Sequence, residues 1–194
     1  QCGVSVIPDM FKAGTFWRSG ATLGDIQLQS VDPEHLTIVL EKLQLAGCDI
    51  SLETDSILIK RNNRIKPVDI TTDVHPGFPT DLQAQWIALM SIADGTSVVT
   101  ESIYLDRFSH VPELIRLGAN ISLENNVAII RGQKELIGAQ VMSTDIRASA
   151  SLVIAALMAK GRTDISRIYH IDRGYEQIEE KFKLLGADIH REKE

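Results

Sequence analysis

Only two cysteines, Cys2 and Cys48, occur in 194 residues. They lie far apart and outside any CxxC or Cys/His ligand spacing, which excludes a disulfide-framed scaffold and a thiolate metal centre. Both read as reduced structural thiols. Long hydrophobic runs are missing too: stretches such as "SLVIAALMA" are too short to span a bilayer. No basic region followed by an apolar core and a small-residue cleavage site opens the chain, so the expectation is a cytoplasmic protein with no membrane partner. An excess of positive charge is absent, the net charge being −6, which argues against a nucleic-acid partner but leaves room for a local anion site. No Gly-rich phosphate loop or GxGxxG fingerprint appears, and His75, His110 and His170 lack metal-ligand spacing. His110 reads as a structural histidine.

With 44% hydrophobic and 24% charged residues, the chain has the composition of a globular domain with a sizeable core. Its organisation is a threefold internal repeat. The second unit is "TDLQAQWIALMSIADGTSVVTESIYLDRFSHVPELIRLGANISLENNVAIIRG" and the third "TDIRASASLVIAALMAKGRTDISRIYHIDRGYEQIEEKFKLLGADIHRE". The first, from "PDMFKAGTF" to "SILIK", is looser. "HLTIVLEKLQLAG", "VPELIRLGA" and "YEQIEEKFKLLGA" place apolar residues at helical spacing. Each ends in a glycine, Gly47, Gly118 or Gly186, suited to the left-handed position past a helix. Asp32-Pro33-Glu34 supplies a cap, a first-turn proline and an acid at a helix start. "SVVTESIY" and "TDISRIYH" alternate and are β-branched, which predicts strands; "ILIK", "AIIRG", "VDITT" and "AQVMS" add more. Each unit therefore reads as βαβαββ, over about residues 5–66, 67–138 and 139–194 of a single domain spanning 1–194. The first helix of each unit is small and apolar all round, as a buried helix is. "QCGVSVIP" reads as a strand already under way, and the first residue is not Met, so the chain is expected to be a piece of something longer.

Two helix mouths begin alike. "PTDLQAQ" and "STDIRAS" each put Thr-Asp before an apolar run, with Asp81 and Asp145 at equivalent points. An aspartate there can cap free amides and meet the helix dipole, or two such carboxylates can face one cavity and handle a proton. Arg147 stands in the first turn of an otherwise apolar helix and needs an anionic partner: Asp145, another carboxylate, or a ligand. Arg107 ("YLDRFSH") and Arg173 ("YHIDRGY") hold matching strand-to-helix turns. Three arginines beside helix N-termini suit a small, highly charged anion.

"HPGFPTDLQAQ", "DRFSHVPELIRLGA", "TDIRASASLV" and "RIYHIDRGYEQIE" closely resemble the C-terminal part of the UDP-N-acetylglucosamine 1-carboxyvinyltransferase family of enolpyruvyl transferases. The resemblance runs from about Ile7 to the end and is dense after Pro76. In the first unit the family has Arg-Ile-Glu where this chain has Met10-Phe11-Lys12. The resemblance implies one α/β domain of an inside-out α/β barrel: three βαβαββ units in pseudo-threefold arrangement, half of a two-domain enzyme. The implied reaction transfers the enolpyruvyl group of phosphoenolpyruvate to the 3-hydroxyl of UDP-N-acetylglucosamine and releases phosphate, without cofactor, as the first committed step of peptidoglycan synthesis. By the same resemblance Asp81 meets the sugar hydroxyl as its base and Asp145 lies by the reacting centre. Arg107 and Arg147 grip the phosphoenolpyruvate carboxylate, Arg173 is near its phosphate, and Ile103 touches the nucleotide sugar. The family's proton-donating loop and a phosphate-binding lysine match nothing in this chain, so the 194 residues alone are expected not to turn over. The alternatives are the sister branch acting on shikimate 3-phosphate, which places a lysine where Arg173 stands, and a non-catalytic binding domain.

Overall fold

The computed structural model describes residues 26–61 and 64–192. The expected opening strand, the Met10-Phe11-Lys12 stretch and Cys2 lie outside these residues. The first unit is seen from β1 (Ile26–Gln29) onward. Asp32 accepts a hydrogen bond from the Glu34 amide at 3.0 Å and starts a 3-10 turn, Pro33–Leu36, which runs into α1 (Thr37–Leu45). Gly47 follows with φ 95°, a left-handed conformation that a glycine adopts without the Cβ penalty. It turns the chain into β2 (Cys48–Leu52), which pairs with β3 (Ser56–Arg61), and β1 lies antiparallel on the other side of β3.

The second unit shows the complete pattern. β4 (Ile70–Thr71), α2 (Gln83–Met90), β5 (Thr96–Thr100), α3 (Val111–Arg116), β6 (Asn120–Glu124) and β7 (Val127–Arg131) follow in order. Its sheet runs β4-β5-β7-β6, with β4 parallel to β5 and the other pairs antiparallel. The β6–β7 hairpin turns through Asn125 at φ 53°, a position asparagine tolerates better than most residues.

The third unit departs from its expected outline. After β8 (Leu136–Ile137) closes the second unit come β9 (Gln140–Met142), α4 (Ile146–Met158), β10 (Ala159–Lys160), β11 (Asp164–Ser166), α5 (Tyr169–Asp172) and α6 (Ile178–Leu184). The strand expected through "TDISRIYH" stops at Ser166, because Arg167 takes φ 56° and the next residues close a helical turn. None of the described residues after Gly186 forms a strand. Among the described residues β11 pairs only with β9, and β10 only with β8.

The core is built around two helices. Every residue of α2 is buried, as is α4 from Ala148 to Ala155. The two pack on each other more extensively than any other pair of helices, and small residues on α4 allow that close approach. Leu152, Ile154 and Ala155 join the main core, whereas Ala150 and Val153 join a second cluster with Ile171, Tyr175, Ile178 and Phe182. Trp86, fully buried, donates Nε1–H to the Val68 carbonyl at 3.2 Å and meets Phe78 edge to face at 5.3 Å. Burial of each such side chain contributes about 1.5–3 kcal/mol, so the α2–α4 pair anchors the helix mouths above it.

Candidate active site

The N-terminal ends of α2 and α4 and the β5–α3 turn come together beside an open cleft of about 560 Å³. Pro79 is extended (φ −69°, ψ 130°), and the chain closes a 3-10 turn over Thr80–Leu82 before α2 begins. That turn moves the N-cap to Leu82, which has no side-chain cap. Asp81 is thereby released from capping. Its Oδ1 accepts from Arg107 Nη1 at 2.9 Å and also from Arg147 Nε, while Oδ2 meets no donor among the described residues. The Thr80 hydroxyl accepts from Arg107 Nη1 at 2.9 Å. The Gln83 side-chain amide holds the Arg107 carbonyl at 3.2 Å, and the Arg107 guanidinium lies 4.1 Å from the centre of the Tyr104 ring, within cation–π range.

The anion partner of Arg147, left open by the sequence, is Asp81, 66 positions away, and not Asp145. Arg147 is also less buried than its apolar helix suggests: its side chain is 36% exposed, against 28% for Asp81 and 20% for Arg107. Two guanidinium groups share one carboxylate oxygen, so the cluster has a net positive charge at the cleft wall. Ile103, Tyr104, Thr80, Asp81, Arg107 and Arg147 all line the cleft, as do His35 and Thr37 of the first unit.

Of the two readings open for Asp145, its geometry supports the helix cap. It takes extended geometry (φ −158°, ψ 176°), and its Oδ1 accepts from the amides of Arg147 at 2.8 Å and Ala148 at 3.0 Å. Oδ2 accepts from the Ser109 hydroxyl at 3.1 Å. Partial burial pushes its pKa up, but the Ala148 and Arg147 amides, then Ser109 and the nearby His110, outweigh burial and hold it below the usual carboxylate range. A carboxylate so held is a helix cap and a weak base. It does not line the cleft. His110 itself is buried, with Nε2 unpartnered among the described residues, and desolvation lowers its pKa to about 4 against the opposing pull of Asp145.

Arg173 does not join Arg107 and Arg147. It is exposed at the end of α5, has no ion pair among the described residues, and lies outside the cleft lining. The next residue, Gly174, packs so closely on Ile146 that a Cβ would fall 2.1 Å from its Cδ1. The Arg173 turn thus rests on the residue preceding Arg147. Cys48 is buried in the first unit's core, away from the cleft. Among the described residues no three His, Cys, Asp or Glu side chains are grouped to hold a metal, and no helix is long and apolar enough to cross a membrane.

Three further residues of the site carry little or no signal of their role in the sequence. Tyr104 and Thr80 were visible only as neighbours of Arg107 and Asp81. Glu101 had no local signal at all: it is fully buried at the end of β5, and its carboxylate accepts four hydrogen bonds from the surrounding turns.

The chain is 53% identical over 190 residues to UDP-N-acetylglucosamine 1-carboxyvinyltransferase of Myxococcus xanthus, covering 97% of this chain and 45% of the relative. The enzyme of the same description from Chlorobium luteolum is 50% identical at the same coverage. The chain thus spans about half the length of the curated relatives it matches. Among solved structures, the enolpyruvyl transferase NikO from Streptomyces tendae superposes with a TM-score of 0.89 at 28% identity, over 96% of this chain and 45% of that one. EPSP synthase from Acinetobacter baumannii has the same fold, with a TM-score of 0.76 at 22% identity over 93% of this chain and 45% of its own. Residues 1–182 match the family described as EPSP synthase (3-phosphoshikimate 1-carboxyvinyltransferase), and the chain belongs to that family.

Proposed function

We propose that the protein containing this chain transfers the enolpyruvyl group of phosphoenolpyruvate to the 3-hydroxyl of UDP-N-acetylglucosamine and releases phosphate, a cytoplasmic step of peptidoglycan synthesis. The observation that supports this reading most is the joining of Arg107 and Arg147 on Asp81 in an open cleft. Forked, permanently charged donors suit a carboxylate. The substrate carboxylate binds the arginine pair and Asp81 turns to the sugar hydroxyl, taking its proton as the oxygen adds to C2 of phosphoenolpyruvate. A proton is delivered to C3 from the remainder of the enzyme. Loss of phosphate and of one methyl proton then restores the double bond. Charge that develops at C2 meets donors already oriented by the α2–α4 packing, so little reorganisation is needed.

In this proposal Arg173 meets the substrate phosphate from outside the cleft lining, on a turn that packs against Ile146. Ile103 supplies the apolar contact to the nucleotide sugar at the cleft edge. Asp145 serves as the cap that aims the α4 N-terminus and Arg147. The chain supplies one domain, and a second domain of the same enzyme supplies the rest of the site, so the 194 residues in isolation release no phosphate.

The test is phosphate release by the full-length protein given phosphoenolpyruvate and either UDP-N-acetylglucosamine or shikimate 3-phosphate. Turnover is expected with the nucleotide sugar alone, falling about 100-fold or more in Asp81→Ala and in Arg147→Ala, the scale of losing a group that stabilises developing charge. Turnover with shikimate 3-phosphate instead would assign the sister reaction. No turnover with either acceptor in a folded protein would leave a binding domain.

A further inference from the structure

We infer that Glu101 is a positioning residue for the anion end of the cleft: it makes the Thr80 hydroxyl its own donor, and so the acceptor that holds Arg107. The inference deepens the proposed function and rests on it only for the identity of the anion.

Glu101 is fully buried. Its Oε1 accepts from the Thr72 hydroxyl at 2.7 Å and from the amides of Ile103 at 2.9 Å and Tyr104 at 3.1 Å. Its Oε2 accepts from the Thr80 hydroxyl at 2.9 Å. All four donors are neutral, and no arginine or lysine pairs with it among the described residues. A buried carboxylate without a cation is costly, so stability alone does not favour an acid there.

The four bonds join three separate segments: the end of β4 through Thr72, the mouth of α2 through Thr80, and the β5–α3 turn through Ile103 and Tyr104. Three of the bonded residues, Thr80, Ile103 and Tyr104, line the cleft. Tyr104 also places its ring against Arg107. Thr80 connects the carboxylate to the cation. A hydroxyl has one hydrogen; Thr80 spends it on Glu101, which turns an oxygen lone pair to Arg107 Nη1 at 2.9 Å. Arg107 is then fixed by two acceptors on adjacent residues, Thr80 and Asp81.

Glutamine at 101 preserves shape and breaks this ordering. Its single carbonyl would remain with the three donors at the Oε1 position, which leaves its NH2 facing Thr80. The Thr80 hydroxyl must then accept from that amide and point its hydrogen elsewhere, with Arg107 Nη1 also a donor.

The experiment uses the full-length protein and Glu101→Gln, Thr80→Val, Thr80→Ser and the Glu101→Gln/Thr80→Val double variant. Two readouts are taken: KM for phosphoenolpyruvate against kcat, and the solvent exchange of the Arg107 guanidinium protons by nitrogen-resolved NMR. Glu101→Gln and Thr80→Val are each expected to raise KM about tenfold, the scale of one hydrogen bond to a charged group, with a smaller change in kcat and faster guanidinium exchange. Thr80→Ser restores both, and the double variant is no worse than the poorer single one. Unchanged KM and exchange in folded Glu101→Gln, or effects of the two substitutions that multiply, would overturn the inference. Should Glu101→Gln fail to fold, Thr80→Val with unchanged exchange overturns it equally. A wild-type protein that does not turn over defeats the proposed reaction, while the exchange comparison still decides the Glu101–Thr80–Arg107 connection.

Discussion

Thr80-Asp81 and Thr144-Asp145 are the same dipeptide at the same point of two repeated units, and they do different jobs. Asp145 is extended, closes on two amides one turn ahead and leaves the cleft. Asp81 lies inside a 3-10 turn that hands the N-cap to Leu82, and its carboxylate turns outward to two arginines. Repetition in sequence preserved the frame while the local turn redirected the charge. The α4 mouth bears the cost of a cap, and the α2 mouth is free for a substrate.

The sharpest way to break this comparison is to remove each carboxylate in turn from the full-length enzyme. Asp81→Ala is expected to lower kcat/KM about 100-fold or more, with a small change in Tm because the side chain is partly exposed. Asp145→Ala should leave kcat/KM within about tenfold of wild type, an allowance for a shift in how α4 aims Arg147. Equal losses of activity in the two variants would mean that Asp145 takes part in the chemistry.

Acid sharpens the contrast on the α4 side. The folded pKa of His110, about 4, lies below its ordinary value of 6.5. The neutral ring is therefore favoured in the fold, and the stability this represents is present above pH 6.5 and lost as pH falls towards 4. Asp145, held below the ordinary carboxylate range, adds a loss in the same direction at still lower pH. Urea unfolding between pH 7 and pH 4 should lose about 3 kcal/mol from His110, and His110→Gln should flatten that slope. An unaltered slope in the variant would place the acid sensitivity elsewhere.

Asp145→Ala should also cost about 0.5–2 kcal/mol of stability at neutral pH, the ordinary magnitude for an N-cap, read as a fall in Tm. The smallest effect belongs to the α2 side alone. Tyr104→Leu removes the ring against Arg107 and should raise KM for phosphoenolpyruvate a few-fold, about 0.5–1 kcal/mol at this exposure. No change would leave Thr80 and Asp81 as sufficient supports for Arg107.

Much of the frame was legible because its causes are local. The caps at Asp32 and Asp145 and the left-handed glycines at positions 47, 118 and 186 behave as their neighbours in sequence dictate. So do the β-branched strands and the apolar faces of α2 and α4. The strand stops at Ser166 although "RIYH" has strand-like composition, because the left-handed Arg167 and the packing of Ile171 decide for a helical turn. Arg173 matched Arg107 by position in the repeat, but the third unit's short turn leaves it exposed.

By itself the sequence determined the repeat, the helix ends, the buried pair of helices and the set of residues able to bind an anion, since each follows from side-chain period and backbone preference over a few residues. Only the tertiary structure decided which of those residues meet. Arg147 reaches Asp81 across 66 positions because α2 and α4 pack side by side. Glu101 acquires its role because three turns close over it. Charges and hydroxyls act over about 3 Å, and no local pattern encodes which distant segment folding will bring within that range.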